Sequence, residues 1–193
     1  MLPDIHVVVR APITSRDMRD IVAIEQAAYQ FPRSKANIFK DRNFVLLADY
    51  HSTVAAYMIF RLYRYQLFLD NIVVRHEFLR KGVGTHLLQR LIGLIKSVRN
   101  GYTENNYDSV AISDIRNHMA NQRCRSIDLY VRESNLHVLY FFRSVGFEAI
   151  KVVRNFYNKP RDTNEDAYIM HWPQCTRPIL PHDPANRIKR YFF

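Results

Sequence analysis

Two of the chain's five glycines fall in one hexapeptide, Arg80-Lys81-Gly82-Val83-Gly84-Thr85, and its residue types suit anion binding. Glycine lets a backbone take positive φ and approach a ligand closely. Successive N–H groups can then converge at the positive end of a helix dipole, an arrangement that fits a pyrophosphate. The segment lacks the Gly-Lys-Ser/Thr ending of a P-loop and the GxGxxG spacing of a dinucleotide fold. Between residues 75 and 99 it is surrounded by Arg75, Arg90, Lys96 and Arg99, with Glu77 as the one acidic residue. The whole chain holds 28 Lys and Arg against 18 Asp and Glu, a net charge of +10. That balance favours an anionic partner: a phosphorylated cofactor, a nucleic acid or a ribosome-like surface. No strand alternates aromatic and basic residues, so direct nucleic-acid binding is not expected.

Glu25 is a second candidate. On a helical wheel it shares the stripe of Met18, Ile21, Val22 and Tyr29. A carboxylate there must be paired, desolvated or lining a cavity. The histidines show no metal-ligand spacing, and Cys124 and Cys175 make neither a disulfide framework nor a four-ligand zinc site. No metal is expected, and a reducing, cytoplasmic setting is the simplest reading. Hydrophobic residues at 48% and charged residues at 24% describe an ordinary globular protein. No apolar run reaches membrane-span length, and no secretory signal precedes the first strand.

The elements that must position these groups follow from periodicity. Ile5–Arg10 reads as a strand, and Thr14-Ser15-Arg16-Asp17 as a capping box opening a helix that Phe31-Pro32 ends. A short helix is expected around Ser34–Lys40. Strands follow at Asn43–Asp49, Val54–Tyr63 and Gln66–Val74, with a tight turn at His51-Ser52. Helices are expected over Gly82–Val98, Ser109–Asn121 and Asn135–Val145. The last is apolar almost all round, which predicts burial, and Gly146 supplies its left-handed stop. Ile127–Val131, Phe147–Tyr157 and Ala167–His171 read as the closing strands. The class is mixed α/β around one sheet. One domain is expected over residues 1–172, with an insertion between helix and strand at 100–125, and a Pro-rich basic tail over 173–193.

Several segments in order along the chain resemble one family. Asn71-Ile72-Val73-Val74 with Phe78 to Thr85 is similar to motif A of the GCN5-related N-acetyltransferases (GNAT family). Leu129-Tyr130-Val131-Arg132-Glu133-Ser134-Asn135, with Phe142 to Phe147, resembles motif B. Arg154 to Tyr157, Glu165 to Met170, Ile24-Glu25-Gln26 and Phe31-Pro32-Arg33-Ser34 resemble the ribosomal-protein-alanine N-acetyltransferases of that family. The resemblance implies a mixed sheet splayed open beside Asn71–Val74, with acetyl-CoA in the splay. Backbone groups of Ile72, Val73 and Val74 would hold the pantetheine. Amides of Leu79, Arg80, Lys81, Gly82, Val83 and Gly84, with Thr85 beside them, would hold the pyrophosphate. Asn135 would help to orient the cofactor, and Phe31 and Tyr157 would contact the acceptor.

The chain departs from that pattern where proton transfer is concerned. Relatives carry a Glu as general base where this chain has Tyr130, and a Tyr as general acid where it has Phe142. The first loop residue, usually Gln or Arg, is Leu79, which matters least because backbone amides do that work. The departure bears on the acceptor. An α-amino group titrates at about 7.7–8.0 and is substantially neutral near pH 7, whereas a lysine amine at about 10.4 is almost wholly protonated. An N-terminal amine therefore needs little help from a base. The leading expectation is acetyl transfer from acetyl-CoA to a protein N-terminal amine, a ribosomal protein among the acceptors, with Tyr130 and Glu25 as catalytic residues. Two alternatives stay open: an acyl-CoA-binding module with weak or lost catalysis, and an acetyltransferase for a lysine or small amine.

Overall fold

The computed structural model describes residues 7–101, 109–157 and 165–173. The expected mixed α/β architecture is present, with seven strands and flanking helices among the described residues. The chain divides into two compact units, one ending at Ile127 and the other starting at Asp128.

In the first unit, β1 (Val7–Arg10), β2 (Phe44–Tyr50), β3 (Thr53–Tyr63) and β4 (Gln66–Val74) lie side by side in chain order, each pair antiparallel. His51 and Ser52 both take positive φ, 47° and 64°, and make the tight β2–β3 turn. β3 is buried continuously from Val54 to Phe60 because helices cover both faces. On one face Ile21 and Ile24 of α1 (Ser15–Ala28) and Ile38 of α2 (Lys35–Ile38) pack on Val45, Leu47, Tyr57, Ile59 and Val73. α3 (Val83–Arg99) buries Leu87, Leu88, Leu91 and Ile95 and packs on strands β1 to β4. α4 (Val110–Asn121) lies within the expected 100–125 insertion and packs on α3.

Two local features matter later. β4 carries a bulge at Asp70: Ile59 pairs with Asn71 and Phe60 with Leu69, which re-aims the strand just before Asn71. Cys124 is buried, and its thiol donates to the Tyr63 and Gln66 carbonyls, each at 3.7 Å.

The second unit contains β5 (Ser126–Arg132) from Asp128 onward, α5 (Leu136–Ser144), β6 (Glu148–Val153) and β7 (Ala167–Trp172), with β7 between β5 and β6. Gly146 ends α5 at φ +94°, the stop expected there. The expectation that α5 is buried all round fails. Phe142 is its one buried residue, while Leu136 and Tyr140 are 56% and 64% exposed. A nine-residue helix rich in apolar side chains satisfies its packing here through Phe142 against Phe147. Residues 1–6, Cys175 and the expected tail beyond Pro173 lie outside the described residues.

Candidate functional site

Strand β4 ends at Val74, and a 3-10 turn at His76–Phe78 leads into the glycine loop. Arg80 takes φ +62° and Gly82 φ +75°, so the chain twice enters the left-handed region within three residues. Gly82 then caps α3 without any side-chain hydrogen bond. The other four described α-helices are capped by a side chain: Thr14, Ser34, Ser109 and Asn135. α3 is thus the described helix whose first-turn N–H groups, at Val83, Gly84 and Thr85, have no side chain competing for them. Leu79, Arg80 and Lys81 are exposed beside this opening. Lys81 Nζ lies 5.6 Å from the Tyr50 ring centre and 5.3 Å from that of Phe78, a cation–π seat that holds it near the loop. Ile72 and Val74 are half-buried and Val73 is packed in the core, so the outer sequence-predicted strand residues retain access.

Glu25 is 1% exposed, and both carboxylate oxygens are engaged. Oε1 accepts the Arg33 backbone N–H at 3.0 Å, with the Arg33 guanidinium at 3.5 Å. Oε2 accepts the Tyr57 hydroxyl and the Asn71 side-chain N–H, the latter at 3.2 Å. Asn71 Oδ1 in turn accepts the Tyr29 hydroxyl at 2.7 Å. Burial, and then the adjacent Glu25 carboxylate, raise the Tyr57 hydroxyl far above the ordinary phenol range, so it stays protonated and donates. Burial and Glu25 push Tyr29 up as well. Of the three states open to Glu25 from the wheel, the fold adopts pairing. Phe31, in the segment pinned through Arg33, is 74% exposed.

In the second unit, Tyr130 is half-buried on β5, and its ring stacks on Phe156 at 4.3 Å. Phe156 packs edge-on against Tyr157 at 4.9 Å, and the Arg132 guanidinium sits 4.0 Å over the Tyr157 ring. Tyr130 and Tyr157, separately singled out in the sequence, are therefore joined by one aromatic bridge. Hydrogen bonds to Glu165 brace this cluster: Arg132 Nη1 at 2.8 Å, Ser134 N at 2.9 Å and the Ser134 hydroxyl. The Ser134 hydroxyl above all, with its amide and Arg132, holds the Glu165 carboxyl below its usual range. Asn135 Oδ1 accepts the Val138 N–H at 3.3 Å, so the side chain assigned to cofactor orientation also caps α5.

Sequence reasoning missed Tyr57 and the Asn71 side chain, which lie 32 and 46 residues from Glu25. It also missed Phe156 as the link between Tyr130 and Tyr157. A tyrosine, with its polar hydroxyl, in the middle of an otherwise apolar buried stretch was the available signal for Tyr57. Asp128 and His171 form a further pair, Oδ1 to Nδ1 at 2.5 Å, across β5 and β7. Among the described residues no group of three or more His, Cys, Asp or Glu is placed to hold a metal ion. No helix among them is long and apolar enough to cross a membrane.

The acetyltransferase (GNAT) family model matches residues 13–111. The [ribosomal protein bS18]-alanine N-acetyltransferase of Salmonella typhimurium is 27% identical over 166 residues, covering 83% of this chain and 94% of the relative. Its Escherichia coli K12 namesake is 27% identical over 169 residues, covering 83% and 96%. Among solved structures, the E. coli ribosomal-protein-S18-alanine N-acetyltransferase superposes with a TM-score of 0.62 at 23% identity, over 90% of this chain and 99% of that one. Arabidopsis thaliana Naa50, in complex with the bisubstrate analogue CoA-Ac-MVNAL, gives 0.61 at 16% identity, over 87% and 99%.

Proposed function

This chain belongs to the acetyltransferase (GNAT) family, and from that premise we propose that it transfers the acetyl group of acetyl-CoA to a protein N-terminal α-amino group. N-acetyl transfer is the activity of the family; the donor's seat and the acceptor are the proposal. The observation that carries the donor's seat is the uncapped start of α3 behind the left-handed turns at Arg80 and Gly82. First-turn amides left without a side-chain acceptor suit a pyrophosphate, and Arg80 and Lys81 add charge beside them. Leu79 through Thr85 would hold the pyrophosphate, Ile72 to Val74 would present backbone groups to the pantetheine, and Asn135 would assist. The bound thioester supplies the activated acyl group.

Three demands remain for the protein's own groups. The amine must be neutral, the carbonyl oxygen must be stabilised as charge develops, and the departing sulfur must be met by a proton. Position 130 offers a phenol instead of a carboxylate, and position 142 is Phe. An α-amino group supplies its own neutral fraction near pH 7, which a lysine does not. Tyr130 is the group proposed to manage the proton, as a donor or through a water it orients. The Phe156 stack fixes the plane of its ring. Phe31 and Tyr157 are proposed to contact the acceptor peptide, and the names of the bS18-alanine relatives make a ribosomal protein beginning with alanine the first acceptor to try. A cytoplasmic location accords with such an acceptor.

A peptide panel with labelled acetyl-CoA tests this. Label on free N-termini supports it. Label confined to lysine would replace it with an amine-side-chain enzyme, and CoA binding without transfer would leave a binding module.

A further inference from the structure

Glu25 was expected to do chemistry, and its surroundings argue for different work. A carboxylate offers about four acceptor directions on two oxygens. Three hydrogen bonds and one ion pair engage the Glu25 carboxylate: the Arg33 amide on Oε1, with the Arg33 guanidinium 3.5 Å away, and the Tyr57 hydroxyl and the Asn71 amide on Oε2. The side chain is 1% exposed. A general base needs a lone pair within open reach of the amine or of a water, and a carboxylate buried to 1% exposure with both oxygens engaged does not offer that approach.

The donors come from three places. Arg33 belongs to the segment between α1 and α2, which carries the exposed Phe31. Tyr57 lies in the middle of β3. Asn71 follows the bulge of β4, two residues before Val73 on the same face. Tyr29, the C-cap residue of α1, closes the ring of contacts by donating to Asn71 Oδ1. The α1–α2 segment is otherwise tied down poorly: residues 29–32 are all exposed. One buried side chain therefore fastens an exposed, acceptor-side segment to the strand assigned to the donor.

We propose that Glu25 is a positioning residue: its carboxylate clamps the Tyr29–Arg33 segment to β3 and β4, so that Phe31 is held in fixed register with the Ile72–Val74 strand. The proposal rests on the N-acetyltransferase reading above for the meaning of that register. The clamp itself is independent of which acceptor is used.

Glu25→Gln keeps the size of the side chain but puts an N–H₂ where an acceptor stood, opposite either the Arg33 amide or the Asn71 amide. Tyr57→Phe keeps the carboxylate and removes one donor. Both variants should raise the acceptor-peptide KM, Glu25→Gln by about tenfold or more, as the loss of a hydrogen bond to a charged group implies. The kcat should stay within about threefold, and CoA affinity measured by calorimetry should not change. Hydrogen exchange at the Arg33 amide should accelerate in both, while the amides of β3 stay protected. A fall of about a hundredfold in kcat for Glu25→Gln at unchanged peptide KM, with unchanged Arg33 exchange, would overturn the clamp and restore a base role. If Glu25→Gln does not fold, Tyr57→Phe decides by the same readings. If the wild type acetylates no peptide N-terminus, the acceptor reading has failed, and Arg33 exchange in Tyr57→Phe still decides the clamp: unchanged exchange refutes it.

Discussion

Gly82→Ala puts the loop geometry to a quantitative test. Gly82 holds φ +75°, and an L-residue there costs about 1–2 kcal/mol. That cost can surface in either of two measurements. If the loop keeps its shape without ligand, the variant unfolds about 1–2 kcal/mol more easily, a fall in Tm of about 2–8 °C for a chain of this size. CoA binding then suffers only from the added methyl group. If the loop instead relaxes when empty, stability is spared and binding must restore the left-handed turn. At 1.4 kcal/mol per decade, affinity then falls about five- to thirtyfold. Whichever way the strain divides, the two losses should together reach about 1–2 kcal/mol. Gly101 is the matched control. It too holds φ +75°, and a Cβ built there meets nothing within 4 Å. The 17 residues of α3 lie between the two glycines, a distance of roughly 25 Å. Gly101→Ala should lose comparable stability and no CoA affinity. Thermal denaturation and calorimetry on the two variants and the wild type supply every quantity needed. The assignment of the loop fails if Gly82→Ala changes neither quantity, or if Gly101→Ala weakens CoA as much as Gly82→Ala does.

Turnover of an alanine-starting peptide should rise with pH through about 7 to 8.5, following the α-amino group, and the same peptide with a blocked N-terminus and free lysine should be a poor acceptor; a flat profile, or efficient lysine labelling, contradicts the acceptor assignment. Tyr130→Phe preserves the stack on Phe156 and should lower kcat by about a hundredfold or more at unchanged peptide KM, whereas a loss within about threefold would remove the hydroxyl from the proton's path. Asp17 is 4% exposed and accepts the Arg10 guanidinium at 2.9 and 2.8 Å, plus the Ile13 and Thr14 amides, each at 2.9 Å. Arg10 first, then those amides and the Thr14 hydroxyl, hold its carboxyl well below the ordinary Asp range, so this stabilisation is complete above the unfolded-state value near pH 4 and is lost as pH falls below it. Asp17→Asn should destabilise the fold by about 2–3 kcal/mol at pH 7, less than for a fully buried pair because the Arg10 side chain is 27% exposed; urea titrations that show an equal penalty at pH 3 and pH 7 would contradict the linkage.

Local chemistry was the legible part of this sequence. Thr14 and Asp17 form the capping box reciprocally, His51 and Ser52 turn through positive φ, and Gly146 stops α5 as its position implied. Each of these outcomes is decided within about five residues. The glycine loop was legible for the same reason, since a strand, a turn and a helix are contiguous in the chain. Long-range polar pairing was not legible. Nothing in the pattern around Glu25 names Tyr57 or Asn71 as its donors, and the β4 bulge that re-aims the strand ahead of Asn71 has no glycine or proline to announce it. The Asp128–His171 pair is hidden similarly, because 43 residues separate its members. α5 misled for a different reason: apolar composition reports what a helix is able to bury, and the number of neighbouring elements decides how much of it is buried.

Cys124 turns one corner of the first unit into a reporter. Its thiol is buried against the Tyr63 and Gln66 carbonyls, at the end of the β3–β4 hairpin, and burial pushes it up to about 12. At neutral pH so little thiolate exists that alkylating reagents find no nucleophile in the folded chain. Once Cys175 is changed to Ser, Cys124 is the only thiol left. The alkylation rate then counts how often this hairpin end opens, without dye or isotope, and a CoA-dependent slowing would show how far ligand occupancy stiffens the sheet.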